Sequence, residues 1–140
     1  MYRDTVTLFN RGEDVWYAHV LENVDLNADR AILIGRYGEN CEDRAVLHVK
    51  LDGRGRVGGL PYLEPKAWES AQTPSGAVTF RSGNDFDFFM VGAWDGGSVI
   101  DDTAYTEGFY NYLNATADGV YAISSAARYS VIPHFEITGR

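Results

Sequence analysis

DTVTLFNRGEDVWYAHVLENVDLN, residues Asp4–Asn27, reads as two β-strands joined by a polar turn. Val6 and Leu8 alternate with Thr5, Thr7 and Phe9, the two-residue period of a half-buried strand, and the pattern stops at Asn10–Asp14 around Gly12. In Val15–Leu21, Trp16, Ala18 and Val20 face one way while Tyr17, His19 and Leu21 face the other, so both faces of this strand are expected to be covered. The spacing continues with Val24 and Leu26. The far end of the chain, DGVYAISSAARYSVIPHFEITGR (Asp118–Arg140), has the same character. An Asp118-Gly119 turn leads into Val120–Ser125 and Ser130–Thr138, a predicted hairpin whose second arm carries Pro133 and is expected to be an edge strand or bulged. First and last segments that are both strands are expected to join one sheet.

Between these ends, Ala31–Arg36 and Ala45–Leu51 read as strands, and the Gly-rich Asp52–Gly59 reads as a mobile loop. Pro65 suits a first helical position, which predicts a short helix near 65–72 anchored by Trp68 and stopped by the Thr-Pro-Ser-Gly at 73–76. Ala77–Arg81 reads as a strand, Ser82–Asp85 as a turn and Phe86–Val91 as a central strand, with loop from Asp95 to Asp102. Asp101, Asp102 and Thr103 are helix-capping types, and Tyr105, Phe109, Tyr112 and Leu113 recur at i, i+4, i+7 and i+8. That stripe predicts a second helix near 103–114, in which Gly108 costs about 1 kcal/mol relative to Ala. The expected architecture is mainly β (α+β), a small antiparallel β-barrel or sandwich with those two short helices, in a single β-rich domain spanning 1–140.

A chain of 140 residues, 45% hydrophobic and 14% aromatic, has the composition of a folded domain with a sizeable core. The twelve Lys and Arg against twenty Asp and Glu leave a net charge of −8, which disfavours tight binding of nucleic acid, a term that rests on clustered cations. Cys41 is the single cysteine, so no internal disulfide is possible and nothing points to an oxidising compartment. The start Met-Tyr-Arg-Asp runs into a strand pattern without the apolar core of a signal peptide, and no apolar run reaches membrane-spanning length; cytosolic synthesis is expected, with no membrane partner.

Candidate chemistry is sparse. Cys41 with His19, His48 or His134 lacks the orienting group and the surrounding sequence that a thiol nucleophile needs. The histidines show no HExxH or paired spacing, so the sequence carries no zinc motif. Asp85, Asp87, Asp95, Asp101 and Asp102 do not follow a calcium-loop pattern and read as turn and capping residues. The run GRGRVGG (Gly53–Gly59) lacks the Gly-Lys-Ser/Thr ending of a phosphate loop, although Arg54 and Arg56 suit an acidic partner surface. No catalytic residue, cofactor or metal is expected. The aromatic excess points to contact area instead. Tyr2, Tyr37, Tyr62, Tyr110 and Tyr129 fall in loops or off the apolar stripes and are the interface candidates, together with Arg54, Arg56 and the edge residue Pro133.

The segments DTVTLFN and WYAHVLENVDLN, the central GGLPYLEPKAWE, the block TFRSGNDFDFFMVGAW, the segment EGFYNYLN and the ending YAISSAARYSVIPHFEITGR together cover nearly the whole chain. In this combination the chain resembles a family of small structural proteins of Firmicutes tailed phages and prophages, similar in plan to head-completion (head-tail connector) proteins. The shared plan rests on Gly83-Asn84-Asp85, Val91-Gly92, Tyr121-Ala122-Ile123 and the strand from His134 to Gly139. The resemblance implies a virion structural subunit of the stopper type, assembled as a ring through protein–protein contacts. It would be made in the bacterial host cytoplasm and located in the virion. Its implied partners are portal or adaptor ring or tail proteins and further copies of itself, with DNA passing through but not tightly bound. A phage tail or capsid-decoration protein is the alternative within the same resemblance, and a small-molecule-binding β-barrel or enzyme the alternative from another class.

Overall fold

The computed structural model describes residues 3–29, 44–52, 56–72, 76–82, 87–130 and 133–139. The expected strand at 31–36, Cys41 and the Gly83-Asn84-Asp85 turn lie outside the described residues. In chain order the elements are β1 (Asp4–Arg11), β2 (Val15–Asp29), β3 (Arg44–Lys50), β4 (Arg56–Val57), β5 (Leu60–Pro61), α1 (Pro65–Glu69), β6 (Phe88–Val91), β7 (Val99–Asp101), a 3-10 turn (Asp102–Ala104), α2 (Phe109–Thr116), β8 (Val120–Tyr129) and β9 (His134–Gly139). Six strands close an antiparallel barrel in the order β1-β6-β8-β9-β3-β2, with β2 pairing back onto β1. The strand β7 lies outside the ring, paired with β2 at Val15–Tyr17.

Strand alternation separates two cores. Val6, Leu8, Leu21, Leu47, Val49, Phe89, Tyr121, Ile123, Phe135 and Ile137 point into the barrel, and each full burial of such a side chain is worth about 1.5–3 kcal/mol. The residues between them face outward. Phe9, Trp16, Phe88 and Val120 on the outer wall meet Ile100 of β7 and Phe109 and Leu113 of α2, forming an aromatic layer beneath that helix. Phe9 stacks on Phe88 with ring centroids 4.7 Å apart, and Phe109 meets Phe9 edge-on at 5.3 Å. The expected two-sided burial of β2 is found in part: Trp16 belongs to the outer layer and Leu21 to the barrel interior, while Val20, expected on the face of Trp16, is exposed.

The length of β2 depends on a bulge. Its partners shift from Asp4↔Val24 to Val6↔Leu21, which leaves one extra residue on β2, and Asn23 sits there at φ +58°, a conformation that Asn tolerates. Beyond the bulge the strand leaves β1 and pairs with β3 through Asp25–Asp29. A second bulge lies on β8, where the partners shift from Ile123↔Gly139 to Ser125↔Thr138.

Several expectations are corrected. The second helix begins at Phe109 and not at 103, because Gly108, at φ +89°, is its N-cap and breaks the run into a 3-10 turn and a helix. The first helix ends at Glu69, short of 72. Ala77–Arg81 forms no strand, only a bridge from Val78 to Tyr62, whereas Val99–Asp101, expected as loop, is β7. The described part of Asp52–Gly59 is not a free loop: β4 and β5 form a hairpin turned by Gly58 and Gly59, both at positive φ, and Val57 is fully buried. Pro133 does not lie on an edge strand. It sits in the turn before β9, its carbonyl accepts from Leu51 N at 3.1 Å, and β9 runs between β8 and β3.

Candidate functional site

Helix α1 packs on β2 through Trp68 and Tyr17, whose rings lie 6.0 Å apart, beside a buried polar knot. Trp68 is 2% exposed; its indole donates to the Ala77 carbonyl at 3.1 Å, and the Arg81 guanidinium lies 4.6 Å over its ring. Asp87, fully buried, accepts from Arg11 N, from Arg81 N and from the Arg81 side chain through Nε at 3.0 Å and Nη2 at 2.7 Å. Burial pushes the Asp87 carboxyl up, and the Arg81 guanidinium and the two backbone amides pull against that. Asn10 donates to the Thr79 carbonyl at 2.7 Å nearby. His19, on the inner face of β2, is nearly buried, and that burial lowers its pKa and keeps the imidazole neutral. Most of these groups are spent on holding segments together, while Asn10 Oδ1 and His19 Nε2 are buried without a hydrogen-bond partner among the described residues.

On the outer wall, shallow clefts flank the start of α2, the larger of about 530 Å³ lined by Arg11, Trp16, Asp102, Glu107, Gly108 and Tyr110 among others. Its central carboxylate is committed. Asp102 Oδ1 accepts from the Trp16 indole at 2.8 Å and from Phe109 N at 2.9 Å. Burial pushes this carboxyl up, but the Phe109 and Trp16 hydrogen bonds and the Arg11 charge outweigh it and leave the pKa below its ordinary value. Asp101 caps Thr103 in the same way at 2.9 Å. Among the described aspartates, Asp101 and Asp102 are helix-cap residues and Asp87 an ion-pair partner.

The opposite wall, formed by β3 and β9, carries a different group. His48 lies directly across from Glu136, and Lys50 across from His134. Because Leu47, Val49, Phe135 and Ile137 point inward, these four side chains share the outer face. The donor atoms of His48, His134 and Glu136 lie within 4.8 Å of one another. The His134 ring stacks on Tyr129 of β8, with centroids 4.9 Å apart and planes at 12°. Sequence spacing hides this cluster, since only the β3–β9 register brings the two histidines together.

The interface candidates divide. Tyr2, Tyr37 and Arg54 lie outside the described residues. Arg56 is exposed on β4, and its side chain donates to the Gly59 carbonyl at 3.3 Å. Tyr62, expected off the apolar stripes, packs on the barrel core, 4.5 Å from the Phe135 ring, and Tyr110 packs edge-on against Phe88 at 4.8 Å. Burial, foremost for both, raises the pKa of each phenol. Tyr129, 45% exposed, and Pro133 remain at the surface, joined there by Val20, Val91, Val99 and Tyr112. The distal half of β8, Ser124–Tyr129, is exposed throughout and, among the described residues, has a ladder partner on the β9 side only.

One family model, described as a family of unknown function (DUF6751), matches residues 1–140. No curated protein and no solved structure matches the chain.

Proposed function

On the premise that the chain belongs to this family of unknown function, we propose that it is a non-enzymatic structural subunit of a tailed-phage particle, placed at the head–tail junction and working through its outer surface. The observation that carries the reading is the filled barrel. Large side chains, Phe89, Tyr121, Phe135, Leu8 and Leu47 among them, occupy its inside, so the described residues leave the walls and edges to engage a partner.

Two exposed edges suit addition of a neighbouring subunit: the distal half of β8, rich in Ser and Ala, and the outer side of β7, where Val99 is 54% exposed. Strand edges of this kind pair readily with another chain, and in a ring each copy covers the edge of the next. The net charge of −8 fits a conduit whose wall repels passing phosphates. Deleting the gene from a phage that carries it tests the role. Particles that lose DNA or fail to join tails are expected; intact, infectious particles would refute it, and a labelled subunit found along the tail tube or over the capsid would reassign it to a tail or decoration role.

A further inference from the structure

We infer that the outer face of β3 and β9 is a binding site for a divalent transition-metal ion of the zinc class, held by His48, His134 and Glu136. Two imidazoles and one carboxylate are the donor set such borderline ions prefer, whereas calcium and magnesium take oxygen ligands. The three donor groups already lie within 4.8 Å of one another. A tetrahedral ion with bonds of about 2.0–2.2 Å needs donors roughly 3.3 Å apart, and the half-exposed His48 and Glu136 side chains can close that difference on His134 by rotation about χ1 and χ2.

The backbone beneath them is rigid. His48 and Glu136 form a directly opposed pair in a ladder that runs without irregularity from Ala45↔Gly139 to Lys50↔His134. The rings of His48 and His134 lie 5.7 Å apart, and Tyr129 stacks on His134 and limits its rotation. Charge around the site is mixed. Asp25 of β2 stands opposite His48 on the far side of β3 and extends the row Asp25–His48–Glu136 across three strands, while Lys50 opposes it from beside His134. Three protein donors leave one position for water, or for a donor from another molecule.

An ordinary cross-strand contact between a histidine and a glutamate would have no metal affinity, and that separates the two readings. The test uses the full chain without an affinity tag, in a Cys41→Ser background so that the lone thiol adds nothing, titrated with zinc chloride alone by calorimetry. Cobalt chloride is the spectroscopic probe. One ion per chain is expected, with the intense visible absorption of a four-coordinate cobalt site. His48→Gln and His134→Gln should each weaken binding by more than the roughly tenfold that losing an outer-shell partner costs. Zinc should also raise the melting temperature of the parent chain and not that of the double variant, which is a readout independent of calorimetry. Absence of saturable binding, or a loss of less than tenfold in the double variant, would overturn the site. The outcome is independent of the virion role, because it is read on the isolated chain.

Discussion

Gly139 runs so close beneath Tyr121 that a Cβ built on it would stand 2.8 Å from the Tyr121 Cβ and 2.9 Å from the Phe89 ring. The strand ending in Gly139 and the strand carrying Tyr121-Ala122-Ile123 are neighbours, with Ile123 opposite Gly139. A glycine is required here for space and not for backbone freedom. Gly139→Ala should cost about 1–3 kcal/mol through overpacking, read as a lower urea midpoint with an unchanged m-value. A midpoint equal to that of the parent chain would show that the strand end yields without strain.

Arg81 and Asp87 form a buried pair that should behave as a unit. Removing Asp87 takes the acceptor from two backbone amides and the buried carboxylate from the Arg81 guanidinium, to which the Arg11 carbonyl and Glu69 still remain, so Asp87→Ala should cost about 3 kcal/mol. The double variant Arg81→Met, Asp87→Ala should lose less than the sum of the single losses, by about 1–3 kcal/mol, in a denaturant double-mutant cycle. Additive losses would mean that the two side chains act independently.

Asp102 predicts a pH dependence with a definite sign. Its folded-state pKa lies below the ordinary 3.8, so the unfolded chain takes up a proton first as the pH falls. The stability it contributes is therefore complete above that value and lost as the pH drops through the lower native pKa. Asp102→Asn removes the charge at little change in shape. The stability difference between parent and variant, about 1–3 kcal/mol at neutral pH, should shrink on acidification through this window. A difference that stays constant across it would rule out an ionised Asp102 as the cause.

Much of the barrel is legible in the sequence because its strands alternate cleanly. Val6 and Leu8 against Thr7 and Phe9 give both position and facing, whereas the last hairpin is legible as a hairpin but not in its bounds, since the expected arms 120–125 and 130–138 are the strands Val120–Tyr129 and His134–Gly139. What escapes is set by partners remote along the chain. Three residues, Val99–Asp101, become a strand only because Val15–Tyr17 offers an edge. The apolar stripe from Tyr105 to Leu113 hides the break that Gly108 imposes. Pro133 marks a strand start and not an edge, a distinction that depends on β3 flanking β9. His48 and His134 belong to hairpins that only the barrel register joins, so no spacing rule in the sequence connects them. The Asp101 cap of the 3-10 turn, by contrast, follows from residue type and position alone.

The long strand β2 has a mechanical consequence. Before its bulge it lends Trp16 to the layer under α2, and across the bulge it lends Leu21 and Val24 to the barrel. Detaching this one ribbon breaches both hydrophobic compartments at once. Because β1, β6 and β8 likewise give side chains to both, heat or denaturant should meet one cooperative unit, in which neither compartment outlives the other.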